Sequence, residues 1–482
     1  MSQKYTFNKN SYYTLYPRIF LVGEETSLTL AGRFREYELP DVCIVKIIGV
    51  LQFKNHDPID EIVVTSKEGC LTFSYTFEYE QKYLLRLFDG AGQDLFIEFA
   101  VYALEADLFS RRPYKGDLHL HTIRTDGMET PQHMICACRE HGLDFLSIAD
   151  HNLFETSLEV IDELSKLPVN MIALKGEEVH AGAADPKLAR CPVHILSLDA
   201  DYAIAPFTSF QTDEEYAALL AALDEDFEAL SAEKPWLQTL GQKKAKELLC
   251  TTKERRECLL DEFSDPTQLI DAHAYAYALD VFEHIRQAGG FSVLSHTQWE
   301  HIPGGSFAQR DDPPLELIKR LINEKPYDVY EAASYVSKEG SNQNLMQRQL
   351  LAEAGHWGAV PLIGITDSHT TLPGWRELGN IYSILFVEEF SARGLREALL
   401  ENWCVAVEDY DEVDAHCFGS YRLALFTKFL IDEYYPLRDE RCKVESAFMY
   451  QYYEVDGAAA VHLLEETSKT NKQEEQSWWA AR

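Results

Sequence analysis

No stretch of the 482 residues approaches the uninterrupted apolar run that a membrane span needs, so no membrane partner is expected. The opening residues, MSQKYTFNKN, carry no apolar core of the signal-peptide kind, and a cytoplasmic location is expected. Cysteine is scarce as well. The 10 cysteines are irregularly spaced, and Cys136 and Cys138 stand two apart in a predicted helix, where they face different directions. Reduced thiols, not a disulfide framework or a shared zinc site, follow from that pattern. Positive charge is the third deficit: 44 Lys and Arg face 79 Asp and Glu, a formal charge of −35. Such a field repels a polyanion and excludes nucleic acid as a partner. A small anionic substrate stays compatible, because bound divalent cations make a pocket locally positive inside an acidic shell.

What is present divides by pattern. Residues 14–105 carry short β-branched and aromatic runs (RIFLV, CIVKIIGV, LTFSYTFEY, KYLLRLF) separated by turn-like punctuation, which predicts a small β-sandwich over 1–110. SRRPY, residues 110–114, reads as a linker. Beyond it strand candidates such as DLHLHT, DFLSIADH, VHILSL, FSVLSH and VPLIGITDSH alternate with predicted helices at 131–141, 157–166, 276–288 and 341–355. About seven such alternations predict an α/β domain of parallel βαβ units, a barrel or barrel-like sheet over 114–410. One helix-rich interval, about 200–270, is far longer than a βα connection needs. It reads as an insertion, a lid or a dimerising subdomain, that can be deleted without unfolding the strands. Residues 411–482 read as a helical extension ending in a flexible tail, KTNKQEEQSWWAAR, whose two tryptophans offer a docking point.

Metal-ligand types recur at the predicted strand ends. His119 and His121 alternate onto one face of DLHLHT; Asp126, His151, Glu178, His194, His296, Asp367 and His369 follow, each at or just past a strand. One histidine in such a place is usually structural, but this many on one rim predict a metal site. Mixed imidazole and carboxylate donors suit Zn, Mn or Fe and are too nitrogen-rich for calcium. They also outnumber what one catalytic ion takes, so two to three divalent ions are expected.

The ordered motifs DLHLHT…TDG, ADHN, GEEV, HIL, LSH and TDSH resemble the polymerase and histidinol phosphatase (PHP) superfamily. That resemblance implies a distorted (β/α)7 barrel with a trinuclear metal centre. By position, His119, His121, Glu178 and Asp367 would hold one metal. Glu178 would bridge to a second held with His194 and His296, and Asp126, His151 and His369 would hold the third. Glu178, Asp367 and His194 would be the catalytic residues. Glu177 competes with Glu178, and the family's G-x-E spacing from Gly176 selects Glu178. Thr297 and Thr125 depart from frequent family residues without removing a ligand. A sandwich ahead of the barrel is similar to a branch that includes carbaryl-type carbamate hydrolases. An ordinary amidohydrolase barrel also begins with HxH, but usually bridges its metals through a lysine.

The expected activity is hydrolysis of a small phosphorylated substrate by a metal-bridging hydroxide, with carboxylester, carbamate or amide hydrolysis at the same centre as the alternative. Arg124, in the first motif loop, is a candidate phosphate contact, since a guanidinium matches phosphate oxygens bidentately; its other reading is a surface ion pair. His180 is a candidate beside the metals. Trp299, His301, Tyr335, Asn344 and Arg348 are candidates for the mouth. His133, His141, His273, His284 and His356 fall on helical segments and read as structural. The partner expected is a small molecule, and homo-oligomerisation stays open.

Overall fold

The computed structural model describes residues 12–51, 57–180, 193–208, 213–251, 272–297, 315–334, 343–372, 378–410, 414–455 and 457–481. The chain divides into two compact units. One comprises Met1–Arg112, Leu425–Arg441 and Glu466–Arg482, the other Pro113–Ala424 and Cys442–Glu465.

In the first unit, alternating β-branched and aromatic residues give β1 (Tyr13–Tyr16), β2 (Ile19–Leu21), β3 (Glu25–Gly32), β4 (Val42–Gly49), β5 (Asp60–Thr65), β6 (Cys70–Thr76), β7 (Gln81–Asp89) and β8 (Asp94–Leu104). They form two sheets, ordered β1-β3-β6 and β2-β8-β7-β4-β5. Along β3, Thr26, Leu28 and Leu30 point inward while Glu25, Ser27 and Thr29 point to water. Leu28, Leu30 and Phe73 of the smaller sheet share one core with Val45, Leu85 and Phe99 of the larger.

The expected flexible tail is instead ordered. A helix, Gly457–Ser477, runs into it, and Trp478 and Trp479 beyond are buried. The Trp478 carbonyl accepts the N–H groups of Arg18 and Ile19, both at 2.8 Å, and the Arg18 guanidinium lies 4.6 Å from the Trp478 ring centroid. Burying two indoles and pairing the backbone outweighs the polar composition that precedes them.

The second unit holds β9 (Arg112–Leu120), β10 (Phe145–Ile148), β11 (Ile172–Ala173), β12 (Gly176–His180), β13 (His194–Leu198), β14 (Phe291–Leu294), β15 (Val329–Ala333), β16 (Leu362–Gly364), β17 (Ile381–Val387), β18 (Cys404–Glu408) and β19 (His416–Gly419). This mixed α/β unit has two sheets, β11-β10-β9-β17-β18-β19 and β12-β13-β14-β15-β16. Two isolated parallel bridges, Leu120 with Ser368 and His151 with Glu178, link them. Backbone pairing therefore passes from β12 through β16 to β9 and β10 and back to β12. Helices Pro131–Glu140, Glu155–Ser165, Ala272–Gln287, Leu315–Glu324 and Gln343–Glu353 lie in the connections.

Not every unit is parallel, as the alternation predicted. β13 runs antiparallel to both β12 and β14. The sequence places no helix between the segments that become β12 and β13, and an antiparallel neighbour needs no crossover helix. This reversal puts the first residue of β13, His194, directly across from His180, at the last residue of β12.

The inserted stretch also departs from expectation. Its described part forms helices Asp213–Glu225, Phe227–Glu233, Trp236–Leu240 and 242–251. Leu223, Trp236, Leu237, Leu248 and Leu249 are buried in one core with Val179, Ile195, Val281 and Tyr330. It is part of the unit's packing and cannot be deleted without exposing that core.

Candidate metal centre

Alternation along β9 places Asp117, His119 and His121 on one face, and all three are fully buried. Asp117 fixes the floor of the site. One oxygen accepts the His119 N–H at 3.1 Å, and the other accepts the Thr366 hydroxyl at 2.6 Å, tying β9 to the segment that carries Asp367. Burial pushes the Asp117 carboxyl up to about 7, against the hydrogen bonds from Thr366 and the His119 amide. Asp150, just past β10, accepts the Thr122 N–H at 2.8 Å and the Thr122 and Thr125 hydroxyls at 2.6 and 2.7 Å, which holds the turn leading to Asp126. That turn packs so closely on β9 that a Cβ at Gly127 would lie 2.7 Å from the His121 carbonyl carbon. Three residues at strand ends, Asn152 (φ 52°), His296 (φ 23°) and Asp367 (φ 52°), occupy the left-handed region that side chains disfavour. Strain of this kind concentrates at functional sites.

Three groups of side chains converge there: His119, His121, Glu178 and Asp367; Glu178, His194 and His296; and His121, Asp126, His151 and His369. In the first, His119 Nε2 lies 3.1 Å from His121 Nε2 and 3.3 Å from both Glu178 Oε2 and Asp367 Oδ1. His121 Nε2 lies 3.4 Å from Glu178 Oε2 and 3.0 Å from Asp367 Oδ1. Spacings of 3.0 to 3.4 Å are those of donors around one tetrahedral ion with bonds of about 2.0 Å, the usual zinc–imidazole length. The other oxygen of Glu178 serves the second group: Oε1 lies 2.8 Å from His194 Nδ1 and 3.1 Å from His296 Nε2. In the third, Asp126 Oδ2 lies 3.1 Å from His151 Nε2 and 3.2 Å from His369 Nε2. Asp126 is half exposed, so this group faces water while Glu178 is fully buried.

The electrostatics agree with that donor chemistry. Burial alone would raise Glu178, but the imidazoles of His119, His194 and His151 hold its carboxyl well below the usual range. His151 lies between Glu178 and Asp126; burial opposes its charge, yet the two carboxylates push it up to about 10. A cavity of this kind retains positive charge, as protons or as metal ions. The mixed donors fit Zn, Mn or Fe.

The structure thus brings together every strand-end residue singled out from sequence, with His121 contributing to two groups instead of one. Glu177 does not compete: its side chain is buried, and its carboxylate accepts the Ile204 N–H and, at 3.4 Å, the Ala205 N–H. Burial pushes it up to about 8, offset in part by those two hydrogen bonds. Arg124, the candidate phosphate contact, has its exposed guanidinium bound to Glu159 at 2.9 to 3.2 Å, the surface ion pair that was its other reading. Of the candidates for the mouth, Asn344 binds both backbone groups of Ser334, and Asn344 and Arg348 both bind Glu408. Trp299, His301 and Tyr335, with the side chains of His180 and His273, lie outside the described residues. His133 and His284 sit on helices, and His141 and His356 follow helix ends. Sequence reasoning missed Asp117, Asp150 and Glu331. Asp117 carried a signal, being two positions before His119 on the same strand face.

No protein-family model and no curated protein matches the chain. Among the solved structures it resembles are a two-domain protein with a PHP-like phosphoesterase part, a metal-dependent phosphoesterase and an amidohydrolase. A two-domain protein of Bacteroides vulgatus containing a predicted PHP-like metal-dependent phosphoesterase is 15% identical over 62% of this chain and 65% of its own, with a TM-score of 0.34. The chain thus spans less than two thirds of that protein. A protein of Bifidobacterium adolescentis, provisionally assigned as a metal-dependent phosphoesterase, is 21% identical over 53% of this chain and 87% of its own, with a TM-score of 0.28. An amidohydrolase of Chromobacterium violaceum, solved with sulfate and no metal, is 19% identical over 54% of this chain and 90% of its own, with a TM-score of 0.29. At these values the donor geometry, not the likeness, carries the chemistry.

Proposed function

We propose that the chain is a metal-dependent hydrolase of the PHP type that cleaves a small phosphoric ester. On this reading β9, β10 and β12 to β16 are the seven strands of a distorted (β/α)7 barrel over residues 114–410, preceded by a β-sandwich. One observation carries the proposal. Glu178 presents one oxygen to His119 and His121 and the other to His194 and His296, the arrangement of a carboxylate bridging two cations. Divalent ions held there would make bound water acidic enough to serve as a nucleophile and would polarise a phosphoryl or carbonyl oxygen.

The chain's own residues do the rest. His119, His121, Glu178 and Asp367 would hold the first ion, Glu178, His194 and His296 the second, and Asp126, His151 and His369 with His121 the third. Glu178, Asp367 and His194 surround the reacting position, and Asp117 and Asp150 fix the backbone that presents these donors. Half-exposed Asp126 marks the side from which substrate enters.

One observation favours a carbonyl substrate as a second reading. The guanidinium of Arg124 is already bound by Glu159, and phosphate binding there requires that pair to open. A screen of phosphomonoesters, phosphodiesters and carboxylesters with Mn²⁺-reconstituted protein separates the readings. Turnover confined to carboxylesters or amides overturns the phosphoesterase reading. Arg124→Ala should raise KM for a phosphate ester about tenfold, with little effect on a neutral ester, if the guanidinium turns to substrate. Equal effects on both confine it to its ion pair.

A further inference from the structure

We infer that Glu331 is the positioning residue of the second donor group, an inference that rests on the metal-centre reading above. Glu331 lies in the middle of β15, beside Ile363 of β16, and its side chain is fully buried. A carboxylate in such a place is costly unless it organises something. One of its oxygens, Oε2, accepts the backbone N–H of His296 at 2.9 Å. The same carboxyl also interacts with the Ser334 side chain and with the imidazoles of His296 and His119.

His296 is the residue that needs such support. It follows β14 with φ at 23°, a backbone conformation a histidine does not adopt unaided. In that conformation its Nε2 reaches Glu178 Oε1 at 3.1 Å, and its ring stands edge-on to His194 with centroids 4.8 Å apart. Among the described residues the second group has three donors, against four in each of the others, so the placement of each counts for more there. The hydrogen bond from His296 to Glu331 fixes the backbone, the backbone aims the imidazole, and the imidazole completes the group.

The test compares metal content and affinity in purified, reconstituted wild type, Glu331→Leu and Glu331→Gln, using elemental analysis and a Co²⁺ titration followed by absorption. Leucine keeps volume and removes both charge and acceptor; glutamine keeps an acceptor for the His296 N–H. Glu331→Leu should lose one equivalent, or bind its weakest ion ten- to a hundredfold less tightly. Glu331→Gln should retain the wild-type number. Wild-type content and affinity in a folded Glu331→Leu overturns the inference, and so does loss of an equivalent from Glu331→Gln, which tests it even if the leucine variant fails to fold. A wild type that binds no metal overturns the metal-centre reading itself, a different failure.

Discussion

Glu178 and Glu177 are neighbours with opposite surroundings, and substitution should separate them. Glu178→Gln replaces an oxygen that faces His194 and His296, or the one facing His119 and His121, with an amide that cannot bridge two cations. Turnover should fall by about a hundredfold or more, with metal lost and the fold kept. Glu177→Gln should leave metal content unchanged and lower unfolding stability by about 1–3 kcal/mol, because a buried carboxylate that accepts the Ile204 and Ala205 N–H groups is altered. Denaturant titration and elemental analysis on both variants decide this, and a reversed pattern makes Glu177 the bridge. The candidate donors were legible in sequence because each sits in a short local motif at a strand end, where residue type suggests the chemistry. For Arg124 the sequence left a phosphate contact and a surface ion pair open, since its partner Glu159 lies on a helix whose packing no local motif states. Glu331 was invisible for a related reason: nothing local says that its carboxylate meets the backbone of His296, 35 residues away.

Among the elements, periodicity located most strands and helices but not the direction of β13. A strand reads the same in either direction, and only the lack of a helix-period pattern between the GEEV and VHIL segments of the sequence hinted at the reversal that places His194 across from His180. The inserted helices were recognised as helices, yet their role was not, because an apolar face in sequence does not name what covers it. Trp236 shows the answer: it is buried, meets Phe207 edge-on at 5.5 Å and donates its indole N–H to Glu155 at 3.1 Å. Trp236→Ala should therefore cost about 3–5 kcal/mol in unfolding free energy. A loss below about 1 kcal/mol by denaturant titration would show that the inserted helices are a detachable layer after all. Removing residues 205–265 altogether should yield insoluble or unfolded protein, since Leu223, Leu237 and Leu248 leave with it and Val179 and Ile195 lose their cover.

For the whole molecule, an excess of acid and a cluster of buried carboxylates point the same way. Glu178 and Asp367 are buried among imidazoles in a chain of formal charge −35, and bound cations would offset both the local and the global field. A chelator should accordingly lower the thermal midpoint, with recovery on adding Mn²⁺ or Zn²⁺, because ions that bind only the folded state stabilise it by mass action. An unchanged midpoint would mean that the donors are held by packing alone. Composition made this acidity plain from the start, whereas the arrangement that concentrates it required the two bridges, Leu120 with Ser368 and His151 with Glu178, that no local pattern encodes. The most direct measurement is elemental analysis of protein reconstituted with Zn²⁺ or Mn²⁺ and freed of excess metal. Three convergent donor groups predict close to three equivalents per chain, and one equivalent or none would contradict the account.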